Sequence, residues 1–295
     1  MERFSYREHQ AQFSAACDWL SSLGVSVAAT RAAEYARLLG KIADHHEAGT
    51  IDVLLNEYGR APIFNAMTEA LEFVHIHTGL ASRAEDAMIK NLREFVTGAV
   101  MLTDETPKNS RSRNLGFELS VGAAAARCGL PVHFEPPADL SITVERHSLA
   151  VECKRPFTVA KVENNVRKGL NQLRQRYEAG QNPATARGIL AISVTRTEND
   201  GSKALDGETE AIVRAKIDGI LDRFVAKHQR RWQSRVDSRT LAVLLELSAP
   251  CFVHHPSIFA VARHYTWVVL CPRGSEDRAT LDRVALGFNR FKTSL

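Results

Sequence analysis

Apolar residues recur at every third or fourth position through much of the first hundred residues, and at every second position in short runs after residue 130. Over residues 27–45, Tyr35, Leu38, Leu39 and Ile42 form one stripe, which predicts a helix. Residues 63–77 and 84–100 repeat that pattern, with Gly or Pro in the gaps, and strand-like alternation is nearly absent before residue 130. The stretch 103–113 is polar and rich in turn formers, so we place a boundary there, with an all-α N-terminal domain over 1–103 and a second domain over 104–295. In the second domain a helix is expected over 114–126, stopped by Gly129 and Pro131. Short apolar runs predict strands at 132–134, 140–144 and 149–153, followed by a helix over 162–179 and a strand at 188–194. A polar loop over 196–208, a long helix over 208–232, strands at 241–247 and 266–270 and a helix over 277–291 complete the chain. Mixed helices and strands with an early hairpin indicate an α/β or α+β domain.

Composition narrows the class. A chain of 295 residues, 44% hydrophobic and 24% charged, can bury a full core and reads as an ordinary globular protein. No apolar run approaches bilayer length, and the first thirteen residues lack the apolar stretch of a secretory leader. The five cysteines are odd in number and show no CxxC spacing, which argues against a disulfide framework or zinc knuckle and leads us to expect a reducing cytoplasm. The chain has no P-loop, no Gly-x-Gly-x-x-Gly and no Gly-x-Ser-x-Gly. His45-His46, His75-x-His77 and His254-His255 lack acid or cysteine partners at zinc-site spacing and are read as non-ligands.

Chemistry concentrates in residues 136–155. In the first strand Leu140, Ile142 and Val144 share one face, leaving Asp139, Ser141 and Thr143 on the other. In the second, Leu149, Val151 and Cys153 oppose Ala150, Glu152 and Lys154. With a loop of two or four residues centred on Arg146-His147, Asp139 lies across from Lys154 and Ser141 across from Glu152. The Asp139–Glu152 diagonal is then roughly 7–8 Å, within reach of one shared ion. A three-residue loop would turn the charges to opposite faces. Two carboxylates and an ammonium on one face suit a hard divalent cation with phosphate oxygens and waters. A surface hairpin carrying an ordinary Glu–Lys pair is the alternative.

The surroundings add weight. Glu118, on the helix before the hairpin, can supply a further carboxylate, or can be a solvated helix residue. From Lys154 to Glu178, seven Lys or Arg stand against two Glu, a charge of +5 that exceeds the +4 of the whole chain. On the helix behind the hairpin, Val162, Val166, Leu170, Leu173 and Tyr177 form the buried stripe, and Lys168, Gln172 and Gln175 lie on another face. Such a helix can present amides and cations to a phosphate backbone, or can simply be a solvated face. The long helix with Arg214, Lys216, Arg223, Lys227, Arg230 and Arg231 could line a nucleic-acid groove, but is read ahead of that as an amphipathic cover with a solvated outer face.

The order helix with Glu118, strand, Asp139 strand, Glu152-x-Lys154 strand, Gln172 helix, strand resembles the PD-(D/E)XK nuclease superfamily over about residues 113–195. In Pro136-Pro137-Ala138-Asp139, Ala138 separates the proline from the acid, a departure from the pattern at its loosest position. The resemblance implies a restriction-endonuclease-like core, a central mixed sheet flanked by helices, and a Mg²⁺- or Mn²⁺-dependent endonuclease. It makes Asp139, Glu152 and the Cys153 carbonyl metal ligands, Lys154 the catalytic lysine, Glu118 the auxiliary acid and Gln172 the polar residue of the following helix. Arg155, Arg167, Lys168, Arg174 and Arg176 are then expected to contact nucleic acid, DNA ahead of RNA. The N-terminal helices would serve recognition, regulation, a homodimer or a partner protein. A non-catalytic binding or assembly protein that keeps the fold is the alternative.

Overall fold

The computed structural model describes residues 5–134, 138–179, 185–199, 203–255 and 258–293. Its helices and strands form a mixed α/β architecture with a central seven-stranded sheet flanked by helices. Five helices come first: α1 (Tyr6–Ser22), α2 (Arg31–Glu47), α3 (Ile51–Tyr58), α4 (Arg60–Leu80) and α5 (Asp86–Phe95). A capping box starts α1, in which the Ser5 hydroxyl accepts from the Glu8 amide while the Glu8 carboxylate accepts from the Ser5 amide. Gly59, at φ 76, turns the chain between α3 and α4, a conformation that L side chains disfavour.

Then follow α6 (Arg111–Arg127), β1 (Val132–His133), β2 (Leu140–Val144), β3 (His147–Lys154), α7 (Val162–Ala179) and β4 (Arg187–Ser193). The chain continues through α8 (Thr195–Glu198), β5 (Leu205–Gly207), α9 (Glu210–Gln233), β6 (Thr240–Val253), β7 (Ile258–Val269) and α10 (Glu276–Thr293). The strand order is β1-β2-β3-β4-β6-β5, with β7 also on β6. Pairs β1/β2 and β2/β3 are antiparallel, while β3/β4, β4/β6 and β5/β6 are parallel. Each parallel neighbour needs a long crossover. Between β3 and β4 that crossover is α7.

Several elements differ from those expected, among them the strand expected at 266–270, which is β7 and begins at Ile258. Strand β6 runs to Val253, well past the expected end at 247, and carries Pro250 inside it. Proline supplies no ladder donor and reads as a stop, yet β6 is buried along almost its whole length. The stretch 196–208, expected as loop, contains most of α8 and all of β5 among its described residues.

The chain divides into two compact units. The first comprises residues 1–120, 199–213 and 248–262, and the second residues 121–198, 214–247 and 263–295. A single cut near residue 103 does not separate them, because the polar stretch 103–113 lies within the first unit. The reason is visible at its end. Arg113 is buried, and its Nε donates to Glu69 on α4 at 3.0 Å. Arg31, buried at the start of α2, pairs with the other oxygen of Glu69 and donates to the Phe95 carbonyl at 2.8 Å. Tyr35 and Asn65 both donate to the Val100 carbonyl, at 2.6 and 2.9 Å. This Arg31–Glu69–Arg113 group ties residues 95–113 to the helices.

In the second unit, α7 lies on the sheet through Val162, Val166, Gly169, Leu170, Leu173 and Tyr177, the predicted stripe with Gly169 added. The approach is close, since a Cβ on Gly169 would run into Leu190 of β4 and sit 3.3 Å from the Lys154 side chain.

Removing Glu69 leaves two buried guanidiniums without their shared carboxylate. Glu69→Ala is expected to cost about 3–5 kcal/mol of unfolding free energy, measured by urea denaturation. A loss below about 1 kcal/mol, the range of exposed ion pairs, would show that the group does not hold this unit together.

Candidate active site

The hairpin β2–β3 turns on two residues, Glu145 and Arg146, because Val144 faces His147 directly. Glu145 takes φ 52 without being glycine. Leu140 pairs with Val151, so Asp139, one residue earlier, falls beside Glu152. The expected register, with Asp139 across from Lys154, is thus displaced by two residues. An even displacement preserves the faces. Leu140, Ile142, Val144, Leu149, Val151 and Cys153 are buried together on one side, and Asp139, Glu152 and Lys154 share the other.

The parallel pairing of β3 with β4 sets Glu152 beside Leu190 and Lys154 beside Ile192, beneath α7. Glu152 is fully buried, while the side chains of Lys154 and Asp139 keep 14% and 22% exposure, so the group opens to solvent at Asp139. Lys154 Nζ donates to Glu152 Oε2 at 3.0 Å, to the Cys153 carbonyl at 2.9 Å and to Asp139 Oδ2 at 3.4 Å. Asp139 Oδ2 also accepts the Cys153 amide at 2.7 Å, which fixes the carboxylate at the end of the strand.

A fourth charge joins from α7. Arg176 forms an ion pair with Glu152 Oε1 and is 12% exposed. Arg176 was also expected among the residues that contact nucleic acid; its guanidinium here faces a buried carboxylate. The position was legible in helix geometry: Gly169, Gln172 and Arg176 follow at intervals of three and four, one face of α7, and Gly169 marks that face as the one over Lys154. Gln172, half-buried, stands between Gly169 and Arg176 on the same face.

Burial pushes the Glu152 carboxyl above the usual carboxylate range, and the nearby Asp139 carboxylate adds to the rise, against the lowering pull of Lys154 and Arg176. For Lys154, burial works to lower the pKa, but Asp139 and Glu152 overcome it and the net shift is upward. Lys154 is therefore a stable ammonium at neutral pH.

The atoms expected to hold a divalent ion, the Asp139 and Glu152 carboxylates and the Cys153 carbonyl, converge on one point. All three are hard oxygen donors, the type that Mg²⁺ and Mn²⁺ take together with water and phosphate. The donor set therefore fits such an ion. Among the described residues no group of three or more His, Cys, Asp or Glu has metal-binding geometry, so the set is limited to two carboxylates and one carbonyl. Glu118 is half-buried on α6 and belongs to the first unit, whereas the trio belongs to the second. Pro136 and Pro137 lie outside the described residues.

The remaining cations divide by helix phase. Lys168 is exposed and lies near the Gln172 face, while Arg155, half-buried, directly follows β3. Arg167 and Arg174 are exposed on the side of α7 roughly 140–180° round from Gly169, Gln172 and Arg176, taking 100° per residue. With Asn171, Ser234 and Arg235 they line an open pocket of about 450 Å³. Compared with protein-family models, curated proteins and solved structures, the chain matches none.

Because Glu152 is buried between two cations, its costs on substitution are not additive with theirs. Glu152→Gln alone is expected to lose about 3–5 kcal/mol. The Glu152→Gln/Arg176→Met protein should lose at least about 1 kcal/mol less than the two single losses combined, read by denaturant unfolding. Strict additivity would remove the pairing.

Proposed function

We propose that the chain is a divalent-metal-dependent endonuclease of the PD-(D/E)XK type, acting on phosphodiester bonds, with DNA as the preferred substrate. The observation that carries this reading is the convergence of Asp139, Glu152, the Cys153 carbonyl and Lys154 at a partly open point beneath α7. The restriction-endonuclease-like reading of the sheet is further supported by the sequence of a β2–β3 hairpin, an α7 crossover and a parallel β4. Asp139, Glu152 and the Cys153 carbonyl would hold the ion, which when bound supplies a water of lowered pKa and neutralises charge on the phosphodiester.

The other side chains have distinct tasks. Lys154, held as an ammonium, donates a hydrogen bond to the attacking water or to a phosphate oxygen as negative charge builds there. Arg176 favours the ionised form of Glu152 and aims it, and so acts as a positioning residue. Gln172 places an amide on the same side of α7. Lys168 and Arg155 contribute positive charge near the opening, and Arg167 and Arg174 contribute it from the far side of α7. The first unit has no assigned reaction in this scheme. Regulation, a second copy or a partner protein is its proposed role.

A second reading has an observation of its own. Two carboxylates facing two cations are already neutral in sum, which is what a non-catalytic descendant of the fold would also keep. Plasmid DNA, single-stranded DNA and RNA incubated with and without Mg²⁺ or Mn²⁺ separate the two. The nuclease reading expects divalent-dependent cleavage that falls by at least about a thousandfold, roughly 4 kcal/mol, in Asp139→Ala, Glu152→Ala and Lys154→Ala. Undiminished cleavage by folded Lys154→Ala protein would sink it, and nucleic-acid binding without cleavage would favour the second reading.

Lys168→Ala and Arg174→Ala are expected to weaken nucleic-acid binding across all sequences. Each should shrink the slope of log affinity against log salt by about 0.9 per lost phosphate contact on duplex DNA. Unchanged slopes would remove those side chains from the interface.

A further inference from the structure

The Lys154 ammonium spends all three of its N–H donors on oxygen: Cys153 O at 2.9 Å, Glu152 Oε2 at 3.0 Å and Asp139 Oδ2 at 3.4 Å. Two carboxylates and a main-chain carbonyl form a cage for a hard cation, and here the cation at its centre belongs to the chain itself. Mg²⁺–oxygen contacts of about 2.0–2.1 Å and Nζ–oxygen contacts near 3 Å cannot be made around one point together. An ion and the ammonium would also repel each other strongly at such a distance.

We propose that Lys154 is a built-in stand-in for the divalent ion: its ammonium occupies the ion's position, and ion binding requires Lys154 to leave the cage. This rests on the nuclease reading of the same site and adds a competition to it. The surroundings suit an exchange. Glu152 keeps a partner after Lys154 departs, because Arg176 holds its other oxygen. Asp139 is likewise retained by the Cys153 amide at 2.7 Å. The cage opens at Asp139, and Lys154 itself retains exposure, so the ammonium has a way out toward solvent or a phosphate oxygen. Without an ion, two acids and two cations balance; with one, the displaced ammonium becomes free to serve an incoming anion.

The competition predicts an affinity change opposite to that of an ordinary helper residue. Titrating the full chain with Mn²⁺ by calorimetry, Lys154→Met is expected to bind at least about tenfold more tightly than wild type, while Asp139→Asn abolishes binding in either background. Equal or weaker binding by Lys154→Met, with the wild type binding normally, overturns the stand-in and leaves the nuclease reading intact. No Mn²⁺ binding by any of these proteins overturns both. Should Lys154→Met fail to fold, the wild type provides a second measurement. Acylation of Lys154 by a succinimidyl ester, followed by mass spectrometry, is expected to rise several-fold when Mn²⁺ is added. Unchanged labelling of Lys154 with Mn²⁺ bound overturns the proposal.

Discussion

A carboxylate buried beneath a helix, with one cation from its own strand and one from the helix above, is the constraint on which the second unit turns. Removing Glu152 from water costs several kcal/mol, and so does each cation that follows it. That cost is bearable only if the partners arrive in good geometry. Glu152 therefore constrains both surfaces around it. The hairpin must hold Asp139 and Lys154 beside it, and α7 must come low enough for Arg176 to reach. Gly169 permits the second, since a side chain there would collide with Leu190. A buried ion pair is weak evidence of added stability.

The first unit supplies a comparison within the same chain. Glu69 is also buried between two cations, Arg31 and Arg113. There the surrounding partners are main-chain carbonyls of Phe95 and Val100 and the hydroxyl of Tyr35, and all four side chains are buried. A second buried carboxylate, Glu105, acts on Arg113 from nearby, and the group fastens the segment leading into α6. Around Glu152 the differences are Asp139 at the solvent edge and an ammonium caged by three oxygens. Buried Glu between cations is thus common to both units, and what marks the second is the ammonium of Lys154 held by three oxygens. The chemical reading depends on the cage and not on the buried pair.

How much of this was legible in the sequence follows from which signals are periodic. The faces of β2 and β3 survived an error of two residues in register, because side chains alternate with a period of two and an even slip leaves every residue on its own side. The turn itself carried no marker. Glu145-Arg146 contains neither Gly nor Asn, and Glu145 adopts a positive φ without them, so nothing in the local composition distinguished it from Arg146-His147. Hydrophobic spacing placed α7 to within the helix it forms, and missed Gly169 as the point of closest approach, since a glycine is silent in an apolar pattern. The long reach of β6 past Pro250 and the burial of Arg113 were illegible for a shared reason. Both are decided by neighbours distant in sequence that override a local signal of turn or surface.

Arg176 teaches the same lesson about charge. Counted along the chain, it is one of seven cations in a run of +5; by helix phase it points the opposite way from Arg167 and Arg174. A helix with its side chains is about 10–12 Å across, so the pocket lined by Arg167 and Arg174 and the cage beneath α7 cannot hold the same phosphate. A backbone touching both would have to place different phosphates at the two positions. A run of positive charge is therefore two surfaces with different tasks. One neutralises a buried acid and is saturated by it. The other faces solvent on the far side of α7.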